Sequence, residues 1–392
     1  MKKALSLLLM LCLLCSALPA CAALTPEKQA EADAFFARFF ARKNTVGGAV
    51  IVNHGGERLY AYFHGKAAGG RPVTEDTVFK IASVTKMITA IGVMQLVEEG
   101  KLSLDEPLTD AEGEPLRNPR FPTESITLRQ VMSHTSSISH TANYTGKPSW
   151  TPKYFSKNAP GACYEYANLN GGMLGSLIER VSGKSLNSYM AEHVFSPLEI
   201  NAAYAATLLP DPSQLAHSYD VNGVLEHSAS AYLRSDAQYD DTCKPESHFR
   251  ASVGNLFISL RGMEALGAML ASDGVYGGVR LLLPGSVSLM RMDQSKLYGS
   301  GVTGESPYGL NTYRYLLDGV TWYGHQGLWN GRLVDLFYEP ESRTAVVLVM
   351  NGSARTVGTV DRAVSAQMES VLQYVAAWLD LDHPDMTIID DW

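Results

Sequence analysis

Ser83-Val84-Thr85-Lys86 sets a hydroxyl and an amine three residues apart, where a loop should give way to a helix. Such positions share a helix face, so the Lys86 amine can approach the Ser83 hydroxyl. A hydroxyl at the positive end of a helix, beside an amine that burial can hold neutral, is an activated nucleophile for a carbonyl carbon. The spacing alone is weak evidence: 34 serines and 14 lysines in 392 residues make about one Ser-x-x-Lys expected by chance. Tyr166-Ala167-Asn168 adds a phenol and a carboxamide that an extended backbone would point into one cleft. Read alone, it is more simply a core tyrosine and a turn asparagine. At His325-Gln326-Gly327 the glycine permits close approach of a substrate to the backbone, whose N–H groups can serve an oxyanion. His54-Gly55-Gly56 repeats that pattern, but inside a hairpin turn ahead of Ser83, whereas residues 324–331 join two late strands.

The elements that must hold these groups follow from periodicity. Thr25-Pro26-Glu27 reads as an N-cap, a proline in the first turn and an acid near the positive helix end, opening a helix with Phe35, Phe36, Phe39 and Phe40 on one side. Residues 48–52 and 58–63 read as strands around the turn Asn53-His54-Gly55-Gly56. Residues 84–99 switch to helical spacing and stop at Gly100. Helical stretches at 171–181 and 264–271 lie among long polar loops. Strands are expected at 308–316, 320–324, 332–338 and 344–350, turned by Asp318-Gly319 and Glu339-Pro340-Glu341-Ser342. A last helix carries Val360, Val364, Met368, Val371, Val375 and Trp378. Consecutive hairpins without crossover helices argue against a doubly wound parallel sheet. The expectation is an α+β fold: an antiparallel β-sheet flanked by terminal helices, with an inserted mostly helical lobe. The sheet lobe would comprise 23–83 and 261–392 and the helical lobe 84–260, together one catalytic unit with its cleft between them.

Composition narrows the function. With 46% hydrophobic residues and a net charge of −8, the chain can bury a large core and has no basic footprint for nucleic acid. Residues 1–22 read as a secretory signal peptide: Lys2 and Lys3, an apolar run over 4–18, then small residues. Leu18-Pro19-Ala20-Cys21 also fits a lipoprotein signal, with a lipid on Cys21 as the one membrane attachment, while Ala20 and Ala22 suit ordinary cleavage and release; both stay open. The expected location is extracytoplasmic, secreted or periplasmic. Only Cys163 and Cys243 lie beyond the leader, and the sequence does not say whether they pair. His134, His140, His217, His227 and His248 form no His-Glu-x-x-His and read as scattered structural or surface residues. No Gly-x-Ser-x-Gly elbow is present, which argues against an α/β-hydrolase.

Five segments in order carry a family resemblance. They are Phe79-Lys80-Ile81-Ala82-Ser83-Val84-Thr85-Lys86, Ile126-Thr127-Leu128-Arg129-Gln130-Val131-Met132-Ser133-His134-Thr135-Ser136, Tyr164-Glu165-Tyr166-Ala167-Asn168, Ala251-Ser252-Val253-Gly254-Asn255-Leu256 and Gly324-His325-Gln326-Gly327. Together, across residues 48–351, the chain resembles the serine hydrolases related to class C β-lactamases, D-alanyl-D-alanine carboxypeptidases, D-aminopeptidases and some esterases. The resemblance implies a β-lactamase/transpeptidase-like fold and acyl transfer through a covalent acyl-enzyme, without metal or cofactor. Ser83 would attack, and Lys86 and Tyr166 would hold and move its proton; which of them is the base stays open. Asn168 would bond the substrate or Lys86. His325 would bond the Tyr166 hydroxyl or a substrate carboxylate. Gly327 would let the substrate approach, and the N–H groups of Ser83 and Leu328 would hold the oxyanion.

Two departures bear on substrate. The third motif has His325 where many penicillin-interactive enzymes have lysine, which weakens fixed recognition of a carboxylate and makes efficient β-lactam hydrolysis the lesser expectation. Ser137 stands where the family usually has glycine after His-Thr-Ser. The expected substrates are D-amino-acid peptides, cell-wall peptide included, or related amides and esters. The alternatives are a carboxylesterase, a class C-like β-lactamase, and a non-enzymatic penicillin-binding or scaffold homologue. Oligomeric state is not legible in the sequence.

Overall fold

Paired residues at positive φ decide where the chain reverses. Gly55 and Gly56, at φ +64° and +92°, join β1 (Gly47–His54) to β2 (Glu57–Ala68), a two-residue turn whose twist matches the strands it connects. After the short β3 (Arg71–Pro72), the late strands are β4 (Tyr313–Leu317), β5 (Val320–Trp329), β6 (Arg332–Glu339) and β7 (Thr344–Asn351). Asp318-Gly319 and Asn330-Gly331 turn the first two hairpins in the same left-handed way. At the third, the Glu339 carboxylate accepts the N–H groups of Glu341 and Ser342. The computed structural model describes residues 24–110, 112–145, 148, 150–245, 247–294, 308–356 and 364–381.

The seven strands form one antiparallel sheet in the order β4-β5-β6-β7-β1-β2-β3, with β1 in register on β7 from Gly47↔Asn351 to His54↔Thr344. The principal helices are α1 (Pro26–Arg42), α2 (Val84–Glu98), α3 (Asn168–Ser182), α4 (Phe249–Gly254), α5 (Leu260–Ala271) and α6 (Ala366–Trp378). Strand alternation sorts the core into two layers. Val346, Leu348 and Met350 of β7 face backwards and meet α1 and α6 through Phe36, Phe40, Met368 and Val371, with Trp322 and Phe337 beside them. Ala345, Val347 and Val349 face forwards into a larger core with α2, α3 and α5. Burying each of these large side chains contributes about 1.5–3 kcal/mol. Thr25 caps α1 as expected, accepting from the Lys28 N–H.

Three expectations need correction. The strand anticipated at 308–316 begins only at Tyr313: Asn311, at φ +52°, reverses the chain, and Tyr308 folds back to bridge Tyr313. The strand anticipated at 320–324 runs on to Trp329, so His325-Gln326-Gly327 lies within β5 and only Asn330-Gly331 connects the strands. The last helix starts at Ala366, capped by Ser365, and Val360 lies outside the described residues, as does the leader. Among the described residues no helix is long and apolar enough to cross a membrane.

Candidate active site

Ser83 occupies the N-cap position of α2, yet its side chain makes no capping bond, so the hydroxyl is not spent on the helix. Ala82 just before it stands at φ +45°, a conformation that costs a non-glycine residue about 1–2 kcal/mol and signals a site where geometry takes precedence. The turn is pinned by the Ile81 N–H on the Leu256 carbonyl and the Lys86 N–H on the Ser83 carbonyl, both 3.0 Å.

Lys86 is wholly buried, and its Nζ stands 3.0 Å from Ser83 Oγ and donates to the Val253 carbonyl at 2.8 Å. The room for it comes from Gly171 on α3, where a Cβ would fall 2.7–2.9 Å from three Lys86 side-chain carbons. Among the described residues no carboxylate pairs with this amine, and burial lowers it to about 7. A neutral amine that donates one N–H to Val253 keeps its lone pair for the proton of Ser83. The Tyr166 phenol faces Ser83 and its ring lies 5.2 Å from Lys86 Nζ; burial holds the phenol well above its ordinary range, so it stays protonated. Asn168 begins α3, and its amide makes no side-chain hydrogen bond among the described residues. Lys86 therefore reaches Ser83 and Val253 rather than Asn168.

The third motif closes the site from β5. A Cβ on Gly327 would lie 2.2 Å from the Ile81 carbonyl oxygen and 3.3 Å from the Ser83 nitrogen, so glycine is what lets this strand abut the nucleophile's turn. Strand β4 pairs with β5 only as far as Gly324. Beyond it, this stretch of β5, with the Leu328 backbone next in line, lies against Ser83. His325 departs from expectation. Its Nδ1 lies 2.7 Å from the Gln326 carbonyl, which can only accept, so Nδ1 carries the proton. Nε2 then accepts from the Tyr308 hydroxyl at 3.1 Å. Burial, aided by the nearby Lys86, lowers His325 to about 3. It bonds neither Tyr166 nor open solvent and is uncharged.

Ser83, Lys86, Tyr166, Asn168, His325, Gly327 and Leu328 are thus carried to one place by α2, α3 and β5. His54-Gly55-Gly56 is elsewhere, with His54 bonded to Thr344 at 3.0 Å. Cys163 and Cys243 are separate thiols. The sequence reading missed Tyr308, the Val253 carbonyl and Gly171. It also set His134 aside, although its own second motif contained that residue: the His134 ring stacks on Tyr166 at 4.3 Å between centroids.

The sequence pattern of the Beta-lactamase family matches residues 32–367. This chain belongs to the beta-lactamase family. Penicillin-binding protein 4 of Amycolatopsis lactamdurans is 26% identical over 304 residues, 73% of this chain and 75% of that one. Esterase EstB of Burkholderia gladioli is 39% identical over 116 residues, 28% of this chain and 29% of its own. The D-amino acid amidase of Ochrobactrum anthropi SV3, solved with D-phenylalanine, superposes with a TM-score of 0.65 at 19% identity over 88% of this chain and 97% of that one, a likeness of fold. The beta-lactamase family member described here is a serine hydrolase with the α+β architecture of that family.

Proposed function

We propose that the protein is an extracytoplasmic hydrolase acting through an acyl-enzyme on D-amino-acid peptides or related small amides and esters. The observation that carries the chemistry is Lys86: wholly buried, held near neutrality, and 3.0 Å from Ser83 Oγ. Ser83 Oγ attacks the carbonyl carbon while its proton passes to Lys86 Nζ. The oxyanion forms against the N–H groups of Ser83 and Leu328. As the intermediate collapses, the bond to the leaving nitrogen or oxygen breaks, and the proton returns from Lys86 through the Tyr166 hydroxyl to that atom. Water then attacks the acyl-Ser83 ester with Lys86 again taking the proton, and the acid is released. Asn168, its amide uncommitted, bonds the substrate.

The choice of substrates rests on His325. A buried, uncharged histidine in the third motif presents no cation to a substrate carboxylate, which supports neutral amides and esters over efficient β-lactam turnover. The same observation favours the second reading, a carboxylesterase. The leader over 1–22 supports export, with Cys21 as the site of a lipid if one is added.

The test is intact-mass spectrometry of wild type and Ser83→Ala after incubation with a penicillin, a D-alanyl-D-alanine peptide, a D-amino-acid amide and p-nitrophenyl acetate, with free products followed in the same samples. We expect D-amide or ester turnover that vanishes in Ser83→Ala, and at most a slowly released penicillin adduct. Turnover of the ester alone decides for the carboxylesterase. Rapid loss of penicillin overturns the substrate reading, and full activity in Ser83→Ala overturns the mechanism.

A further inference from the structure

The segment Ser133-His134-Thr135-Ser136 touches neither Ser83 nor Lys86 by a hydrogen bond, yet it is buried and, His134 Nε2 apart, its side chains are hydrogen-bonded. It follows the short helix Leu128–Met132, whose N-cap Thr127 and Gln130 form a reciprocal capping box. His134 stands at φ +55°, and in that left-handed conformation its main chain and its ring face the same neighbour. Its carbonyl accepts the Glu165 N–H at 2.8 Å, and the Thr135 carbonyl accepts the Gly161 N–H at 2.7 Å. Its Nδ1 accepts the Ala167 N–H at 3.2 Å and the Asn170 amide at 3.0 Å. Both bonds run toward the ring, because a backbone N–H and an amide NH2 can only donate; Asn170 Oδ1 meanwhile accepts the Ser136 hydroxyl at 2.8 Å. Nδ1 is therefore the acceptor and Nε2 carries the hydrogen. Burial first, with Lys86 and His325 nearby, keeps the ring uncharged.

Residues 165, 167 and 170 flank Tyr166 and Asn168 on both sides, and the His134 ring is the surface on which the Tyr166 phenol lies. A tyrosine side chain has two rotatable bonds before its hydroxyl. With the main chain clamped on either side and the ring stacked from below, the hydroxyl is left with the direction that reaches Ser83. We propose that His134 is a positioning residue for proton transfer: it fixes the register of the Tyr166-Ala167-Asn168 turn and the tilt of the Tyr166 phenol toward Ser83 and the leaving group. This rests on the serine mechanism above and adds to it a residue that meets neither substrate nor nucleophile.

Two variants divide its contacts. His134→Asn keeps an acceptor near the place of Nδ1 and tolerates the left-handed backbone, but removes the ring. His134→Phe keeps the ring and removes the acceptor. Three readings are made on each: the rate at which diisopropyl fluorophosphate labels Ser83, the fraction finally labelled, and kcat and KM for a D-amino-acid anilide against p-nitrophenyl acetate. The anilide nitrogen must receive a proton to leave, whereas p-nitrophenolate leaves without one, so misplacing Tyr166 should penalise the anilide selectively. We expect kcat on the anilide to fall about 30-fold or more in His134→Phe and about tenfold in His134→Asn. Loss on the ester should be several-fold smaller in both, KM should move less than about threefold, and labelling should slow.

If the labelled fraction drops while the rate per labelled molecule and the anilide-to-ester ratio stay at wild-type values, His134 only supports folding and the proposal is overturned. Unchanged rates in both variants overturn it as well and leave the serine mechanism standing. Failure of wild-type Ser83 to take the label removes the nucleophile, and the positioning role falls with it.

Discussion

Behind the sheet, Phe36, Phe40, Trp322 and Phe337 are buried among aliphatic and aromatic neighbours; two acids there each accept a hydroxyl, Asp335 from Ser365 and Glu369 from Tyr315, and burial raises Asp335 to about 7. In front of it Lys86, His134 and His325 are just as buried, but each is a nitrogen base whose charged form burial disfavours. Both layers gain free energy from apolar area and lose it when volume is removed, the front through the larger core. The front layer spends free energy to strip water from bases, which is how a lysine becomes a proton acceptor at neutral pH. The candidate chemistry is therefore confined to the front face, and substitutions can show whether the back is coupled to it.

The largest expected effect is in front. Lys86→Met should lower kcat by about 10³-fold or more while leaving the fold intact, since a buried amine without a carboxylate partner gives way to an apolar chain of like length. Thermal unfolding beside ester hydrolysis checks both halves. Behind the sheet, Trp322→Ala should cost about 3–5 kcal/mol of stability, read by urea denaturation, with kcat per folded molecule unchanged; a fall in kcat would mean that the faces are coupled. Gly171→Ala adds a methyl where the Lys86 stem lies and should lower activity about 10- to 100-fold with little change in Tm. Next comes the pH profile. Because Lys86 must be unprotonated to accept from Ser83 and is lowered to about 7, kcat/KM should rise with pH through a midpoint near 7 and then level; a midpoint near 10 would mean that burial does not prepare the base.

The smallest effect concerns Ser137, which stands at φ +67° where glycine is usual and is held by the Asn118 amide at 2.7 Å and by its own bond to the Asn158 carbonyl at 2.6 Å. Ser137→Gly exchanges backbone strain for two lost hydrogen bonds. Its stability should stay within about 1 kcal/mol of wild type, read from the same denaturation curves.

How far these features were legible in the sequence follows the range of the interactions behind them. Alternation in β6 and β7, the glycine turns and the Thr25 cap are local, and each appears where periodicity and turn chemistry put it. Ser83, Lys86 and Tyr166 were singled out together because five weak motifs in order outweigh any one of them. Tyr308 was read into one strand with residues 309–316; the turn at Asn311 that sends it toward His325 depends on the Asn311 N–H reaching the Met132 carbonyl at 2.7 Å, a contact 179 residues apart in sequence. His325 was placed correctly in the chain but given too much freedom, since nothing in its own tripeptide announces a tyrosine partner or complete burial. His134 was discounted among scattered histidines, because its importance lies in which lone pair meets which amide, and composition is blind to that.

The burial of Lys86 also makes folding an acid–base reaction with the buffer. An unfolded lysine holds its proton up to about pH 10.4, whereas the folded Lys86 releases it near 7, so between those values each molecule that unfolds draws a proton from solution. Stability from this group therefore climbs with pH across that interval and is flat outside it. Lys80, lowered to about 8 by burial and by Arg332, adds a smaller share in the same direction. At pH 8.5 the calorimetric heat of unfolding must then contain the ionisation heat of whatever buffer supplies the proton, larger in Tris than in phosphate, and the gap between the two buffers should narrow in Lys86→Met. Heat exchanged with the buffer thus counts the proton that the folded protein has already given up in readiness for its substrate.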